Sequence, residues 1–230
     1  MALARRATGV MNMKKRKPAE LAPPPDDPLA KPIIAKHVAA LSANLSPIRT
    51  AVSRYLKYPS HANANGVFEI GNRPWVAPFN YMITLYGGIN KTLQREYCAR
   101  FNIEIPEIYS RFLEELNGAF VFGISFYGIP PSMLSRGRLD RSVLQCHDLA
   151  TGVLQWSGDY EVERDAFHFG GREFSFDENV GYFIDNNSKI LCARKNGEIL
   201  GNWSSLRSFL SDEIKTSEAV EESINPSQWK

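Results

Sequence analysis

The stretch IPEIYSRFLEELNG, residues 105–118, is decisive for the fold of this chain. It predicts one helix and contains signals for both the start and the end of that helix. Pro106 suits the first helical position, where its missing N–H is not needed, and Glu107 complements the helix dipole in the first turn. Asn117-Gly118 supplies a left-handed stop. One face of the helix is apolar through residues at helical spacing: Ile108, Phe112, Leu113 and Leu116. The stretch therefore predicts a single helix that packs against a core.

Patterns along the rest of the chain predict helices, then a block of strands, then a closing helix. Asn90 is placed to cap a helix that ends near Phe101, and Asn196-Gly197 is a strong hairpin signal. Strands are expected at residues 81–86, 119–127, 141–147, 166–169, 172–176, 181–184 and 189–194. A short helix or turn is expected at residues 149–156 and a helix at 204–214. This order is typical of an α+β fold, with an antiparallel or mixed sheet packed by helices.

Shifts in composition predict the domain organisation. Residues 1–32 contain the basic run Lys14-Lys15-Arg16-Lys17 and a proline-rich segment, so we expect a disordered tail, in which Met1, Met11 or Met13 can serve as the start. Residues 33–87 are expected to form an N-terminal extension with helix before residue 58 and with loop and short strands over 61–80. The helix is expected to dock on its own domain; binding a partner or nucleic acid is the alternative. Residues 88–215 form the main domain, and 216–230 a flexible tail.

Charge is unevenly distributed, although the formal net charge is only +2. Residues 1–60 hold eleven Lys and Arg and three Asp and Glu, which gives a basic N-terminal extension of net charge +8. Residues 157–187 hold eight acids and two arginines, a net charge of −6. The chain therefore has a basic head and an acidic patch.

The helix motif resembles the signature of the SUKH superfamily, the Smi/Knr-like domains, whose members carry I/L-P-x-x-Y-x-x-F-L, then N-G, then Y-G. The positions that match are Pro106, Tyr109, Phe112, Leu113, Asn117, Gly118, Tyr127 and Gly128. Residues 167–171, 177–185 and 204–210 resemble later elements of the family, so the resemblance covers about residues 88–215. It implies a SUKH-like fold. It also implies an immunity protein that neutralises a toxin domain or, as in eukaryotic members, a regulatory scaffold.

The residue types of several catalytic sites occur, but their spacing does not fit the chemistry. The second glycine of residues 123–128 comes one position too late for a nucleophile elbow. Cys146-His147-Asp148 has the composition of a thiol protease site, but consecutive strand residues point to opposite faces and cannot form a relay. His168, between two phenylalanines, is expected to lie on the exposed strand face. We therefore expect no enzymatic activity, no cofactor and no metal.

The acidic segment is the candidate partner-binding surface. From Asp159 to Asp165 acids alternate with Tyr160 and Val162, so a strand here would carry a ladder of carboxylates on one face. Such a surface would steer a basic partner such as a toxin nuclease, with two aromatic anchors. The alternative is a solvated edge strand whose charges prevent aggregation. The candidate residues are Trp156, Asp159, Tyr160, Glu161, Glu163, Asp165, Glu173, Asp177, Glu178 and Asp185.

The functional hypothesis is thus an immunity protein that binds a cognate toxin or effector domain stoichiometrically. A regulatory scaffold is the alternative, as is nucleic-acid binding through the basic head, which the acidic body disfavours. No apolar run reaches about 18 residues, so no membrane span is expected, and no apolar segment follows the basic N-terminus as in a secretory signal. Three cysteines without a C-x-x-C pair favour reduced thiols in the cytoplasm.

Overall fold

A computed structural model describes residues 27–73, 80–134, 144–173 and 179–224. Within these ranges the chain forms helices and strands in alternating blocks. The α-helices are α1 (Ala30–Ala39), α2 (Ser46–Tyr55), α3 (Lys91–Phe101), α4 (Glu107–Glu115), α5 (Pro131–Leu134), α6 (Leu149–Leu154) and α7 (Leu206–Ile224). The β-strands are β1 (His61–Ala62), β2 (Val67–Asn72), β3 (Tyr81–Gly87), β4 (Leu116–Val121), β5 (Ile124–Phe126), β6 (Phe167–Glu173), β7 (Asn179–Ile184), β8 (Ile190–Arg194) and β9 (Ile199–Trp203). Short 3-10 helices span Ala43–Leu45 and Trp156–Asp159.

All nine strands belong to one sheet, in which the spatial order β1 to β9 is the order along the chain. Every pair of neighbouring strands is antiparallel. The sheet is therefore a meander, in which each strand pairs with the strand that precedes it. The expected α+β class is confirmed, with an antiparallel sheet.

Helix α4 provides the aromatic centre of the core on one face of the sheet. Tyr109 stacks on Phe112 with ring centroids 5.1 Å apart and contacts Phe169 of β6 at 5.0 Å. Its buried hydroxyl donates to the carbonyl oxygens of Tyr127 and Phe169, the latter at 3.2 Å. The apolar face predicted for this helix is confirmed, and its tyrosine ties the helix to two strands.

The two ends of the α4 motif differ from the prediction. Pro106 is the residue before the helix, in an extended conformation with ψ of 142°, rather than the first helical residue. Asn117-Gly118 does not stop the helix, because Leu116 is already extended and the chain passes directly into β4. Instead the Asn117 side chain exchanges two hydrogen bonds of 2.8 Å with the backbone of Ile129. Gly118 has φ of +86°, and an added Cβ would lie 2.9 Å from that of Cys146.

Several strand predictions need correction. Residues 119–127 form the β4–β5 hairpin rather than one strand, because Phe122 and Gly123 turn the chain with φ of 50° and 83°. The short strands expected within residues 61–80 are present as β1 and β2, whereas β6 is one continuous strand where two were expected. Residues 144–147 are not a strand, and 141–143 lie outside the described residues. The turns at residues 186–187 and at Asn196-Gly197 are confirmed.

Helices α1 and α2 near the start of the described chain and helix α7 near its end pack against the same hydrophobic core. Helix α2 buries Ile48 and Val52 and contacts α7, which confirms that the basic helix docks on its own domain. Helix α1 begins at Ala30, inside the expected disordered tail; residues 1–26 lie outside the described residues. Helix α7 continues to Ile224, so residues 216–224, expected to be flexible, are helical.

Candidate binding face

The second face of the sheet, opposite α4, carries a cleft of about 540 Å³, which Glu221 near the end of α7 also lines. Phe120 of β4 pairs with Ser125 of β5, which pairs with Gly171 of β6, so these residues share that face. Residues 144–160 pass over one end of the sheet and form the other wall. The cleft is lined by Phe120, Ser125, Tyr127, His147, Trp156, Asp159, Tyr160, His168, Asn179 and Lys195, among others. It is therefore an open cleft with aromatic walls and polar groups at its rim.

Helix α6 positions the wall of the cleft. Asp148 caps it by accepting the Thr151 backbone N–H at 3.0 Å, and Asp148 also accepts the Tyr97 hydroxyl at 2.5 Å. The chain then turns into the 3-10 helix that carries Trp156. The indole contacts the rings of Tyr127 and His147, at 5.2 and 6.0 Å between centroids, and the residue remains 36% exposed. Trp156 is thus a held but accessible aromatic side chain at the rim.

The predicted carboxylate ladder is wrong, because residues 159–165 form the end of a 3-10 helix and an irregular segment rather than a strand. The alternation of burial is nevertheless as expected: the acids are exposed, whereas Tyr160 and Val162 pack on a small cluster with Phe183. The segment is attached to the sheet where the Glu161 N–H donates to the Lys195 carbonyl at 2.9 Å. Its acids are therefore exposed at separate positions along an irregular segment and do not form a ladder.

The structure brings only some of the ten predicted partner-binding residues to the cleft. Trp156, Asp159 and Tyr160 line it, with the Asp159 carboxylate 3.6 Å from the ammonium of Lys195. Glu161, Glu163 and Asp165 are exposed but do not line the cleft. Asp165 accepts a hydrogen bond from the Asn186 side chain.

Asp185 has a structural contact, since its carboxylate accepts the backbone N–H groups of Asn187 and Lys189 at 2.9 and 2.7 Å and so shapes the β7–β8 turn. Glu173 is the last residue of β6. Asp177 and Glu178 lie outside the described residues.

A contact between residues 123–128 and Cys146-His147-Asp148 was not predicted from the sequence. The Ser125 hydroxyl lies 3.0 Å from Nδ1 of His147 in the cleft. Burial lowers the pKa of His147, so its ring is neutral at pH 7. No described carboxylate hydrogen-bonds this imidazole, because Asp148 bonds to α6 and Tyr97 instead. Burial raises the pKa of the Cys146 thiol to about 12, so the thiol stays protonated. The sequence signal that was available for this contact is the alternation of strand residues, which puts Ser125 on the same face of the sheet as Phe120.

His168 is buried rather than exposed, with 1% of its surface accessible. Its ring stacks on Phe183 at 4.5 Å, and Nδ1 lies 3.1 Å from the Gly152 carbonyl. Desolvation lowers the pKa of His168 to about 4, despite the opposing effect of nearby backbone groups. The prediction failed because the segment that carries α6 covers this end of the second face.

In comparisons with known proteins, no family model, curated protein or solved structure matches this chain. Among the described side chains, no group of three or more His, Cys, Asp or Glu is arranged to hold a metal ion. In the described part of the chain, no helix combines the length and apolar character that crossing a membrane requires.

Proposed function

We propose that this chain is a SUKH-like immunity protein, which binds a cognate toxin domain stoichiometrically and without catalysis. The observation that carries the proposal is the exposed Trp156 at the rim of an aromatic cleft, beside the carboxylate of Asp159. The motif resemblance over residues 105–118 supports the family, and the reduced state of the three free cysteines is compatible with action in the cytoplasm.

Trp156 has the properties of an interface anchor. Tryptophan is enriched among residues that dominate binding energy, and such residues lie near the centre of an interface where water is excluded. Contacts with Tyr127 and His147 already restrict the indole, so binding would cost little additional side-chain entropy. A partner loop that fills the cleft would bury the remaining exposed part of the ring.

The exposed acids would contribute mainly to the rate of association. Asp159 lines the cleft, and Glu161, Glu163 and Asp165 are exposed in the segment that follows it. A nuclease toxin carries basic groups for its polyanionic substrate, so this charge would steer it towards the cleft and away from nucleic acid. The complex would inhibit by occupying the surface that the substrate needs.

Capture of a partner from the native host by the tagged full-length chain, followed by mass spectrometry, tests the proposal. We expect one stoichiometric, salt-resistant partner with a toxin domain, and we expect Trp156→Ala to weaken binding by about 2 kcal/mol, roughly 30-fold. The matched control is Leu154→Ala, because Leu154 is more exposed than Trp156 and does not line the cleft. A toxin that binds both variants as tightly as the wild type would place the interface elsewhere.

Nucleic-acid binding through the basic head is the second candidate, supported by the net charge of +8 in residues 1–60. In the described part of that region Arg54 pairs with Glu218, whereas Arg49 donates to the Leu41 carbonyl and keeps its charge. The basic run of residues 14–17 is the densest positive charge of the head. A gel shift with generic RNA that is lost on neutralising Lys14, Lys15, Arg16 and Lys17, and that weakens steeply with salt, would favour this function. A regulatory scaffold would instead recover several partners in the capture experiment.

A further inference from the structure

A second hollow, of about 340 Å³, lies on the same face of the sheet at the β2–β3 end. Glu69 of β2 pairs with Thr84 of β3, and Thr84 pairs with Phe120 of β4, so Glu69 projects to the cleft side of the sheet. The hollow is lined by Glu69, Tyr81, Thr84, Tyr86, Phe120 and His147, among others. Its volume is at the small end of the range for ligand sites.

Glu69 is a partly buried acid without a strong counter-ion. Its side chain is 22% exposed, and among the described residues the ion-pair partner recorded for it is a ring nitrogen of His61, 3.5 Å away. No described Lys or Arg side chain lies within ion-pair distance of it. Burial raises the pKa of Glu69, although His61 partly offsets that effect. A carboxylate that has lost water without gaining a full cation is stabilised by any cation that reaches it.

The walls of the hollow are suited to a cation. Tyr86 is fixed by the hydrogen bond from its hydroxyl to the Gln145 carbonyl, at 3.0 Å, and Phe120 is half-buried beside it. Burial is the main cause that raises the pKa of both Tyr81 and Tyr86, and the negative charge of Glu69 adds to it in each case, which places all three groups in one electrostatic environment. Aromatic faces attract ammonium and guanidinium groups, most strongly where water is excluded.

The other titratable groups that line the hollow do not oppose a cation. Burial raises the pKa of Cys146 to about 12 and lowers that of His147, so the thiol and the imidazole are both neutral at pH 7. Tyr81 and Tyr86 are uncharged at that pH, since burial raises the pKa of both. Glu69 is therefore the anionic group of the hollow.

We propose that this hollow binds a single guanidinium or alkylammonium group, with Glu69 as counter-ion and the rings of Tyr86 and Phe120 as walls. The cation is either a basic side chain of a protein or a small free amine, which share the same chemistry. The hollow adjoins the cleft and shares Phe120 and His147 with it, but Trp156 does not line the hollow, and the proposal does not depend on the immunity function.

Titration of the isotope-labelled full-length chain with Nα-acetyl-arginine amide tests this site by NMR. The control ligand is Nα-acetyl-citrulline amide, which has nearly the same shape and no charge. We expect saturable shifts at the amides of Thr84 and Tyr86 with the arginine compound only. We also expect the pKa of the Glu69 carboxyl to fall when the arginine compound binds. Equal shifts with citrulline, or none with either compound, would overturn the proposal.

Variants locate the charge, and a third ligand identifies its source. Glu69→Gln is expected to weaken binding of the arginine compound at least about tenfold, as expected for a lost charge-assisted contact. Asp165→Asn, which removes an acid outside the hollow, is expected to leave binding unchanged. If Glu69→Gln does not fold, Phe120→Leu provides the second test, with an expected loss of about threefold. Unchanged binding in the folded variant would refute the site. Agmatine binding as tightly as the arginine compound indicates a free amine, and weaker binding indicates a protein side chain.

Discussion

His168 shows how one residue links the second face of the sheet to stability. Its imidazole lies between Phe183 and Tyr160, at 4.5 and 5.3 Å between ring centroids. Because the ring is buried and uncharged in the folded protein, protonation is far easier after unfolding. The same side chain lines the cleft, so the acid response of this residue reports on the integrity of the proposed binding face.

We predict that acid destabilises the protein through His168. The pKa of this group falls from 6.5 to about 4 on folding, so the unfolded chain binds more protons between these values. The free energy of unfolding should therefore decrease as pH falls from 6.5 to about 4, by up to about 3 kcal/mol. Urea denaturation at about pH 7 and about pH 5 measures this slope, and His168→Gln should flatten it. His61→Gln is the control; if it flattens the slope as much as His168→Gln, the assignment is wrong.

The hydroxyl of Tyr109 gives a second prediction at this scale. Tyr109→Phe leaves the carbonyls of Tyr127 and Phe169 without this donor, so we expect a loss of about 1–2 kcal/mol in the free energy of unfolding. Tyr160→Phe is the matched control, because no hydrogen bond from its hydroxyl to a described residue is recorded, and it should change stability by less than about 0.5 kcal/mol. Equal effects in thermal denaturation would mean that the Tyr109 hydrogen bonds do not matter.

Among the elements, α7 differs from its prediction in length, because its second half was expected to be flexible and is helical. Its second half lacks a strong apolar stripe, yet Ser217 is fully buried and Glu218 and Glu221 pair with Arg54 and Arg73. These partners are more than 140 positions away in sequence. Local composition therefore suggested exposure, whereas the helix buries polar groups against distant ones. The ends of α3 were easier to predict, because the Asn90 cap and the apolar spacing act within a few residues.

The contrast between local and distant contacts also explains which parts of the candidate site could be predicted from the sequence. Trp156, Asp159 and Tyr160 were identified from sequence because an acidic, aromatic segment is visible in composition. The contact between Ser125 and His147 depends on the registers of β4, β5 and β6 and on the path of residues 144–160, none of which is a local property. The strand over residues 159–165 was wrong because alternating burial also results when an irregular segment packs against a sheet.

The attachment of α7 to β6 gives a prediction at the scale of elements. Arg172 and Glu213 form a buried ion pair of 3.1 Å, with side-chain exposures of 8% and 9%. Glu213→Gln leaves the guanidinium charge without its carboxylate, so we expect a loss of about 3–5 kcal/mol. The exposed pair Arg194–Glu198 is the matched control, and Glu198→Gln should cost under about 1 kcal/mol. Similar losses in denaturant unfolding would contradict the role assigned to burial.

At the scale of the whole molecule, α7 joins the first and last parts of the chain. It contacts α2, the 3-10 helix Ala43–Leu45 and β9. The N-terminal extension and the main domain therefore share one hydrophobic core, which includes Ile34 and Val52 as well as Phe209. We expect the two parts to unfold together rather than as separate domains.

Truncation tests this coupling. Deleting residues 216–230 removes the carboxylates that pair with Arg54 and Arg73, and we expect a loss of about 2–3 kcal/mol in one cooperative transition. Deleting only 225–230 leaves α7 whole and is expected to have little effect. Two separate transitions in the wild type, or an unchanged melting temperature after the longer deletion, would contradict a shared core.

The strand order also has a consequence for biosynthesis. Because every strand pairs with its predecessor, the sheet can grow one strand at a time while the chain emerges from the ribosome. The N-terminal helices are made first, but they lack their partner until α7 leaves the exit tunnel. We therefore expect limited proteolysis of the nascent chain to show that its strands form early and that protease resistance appears late, only after α7 has left the exit tunnel.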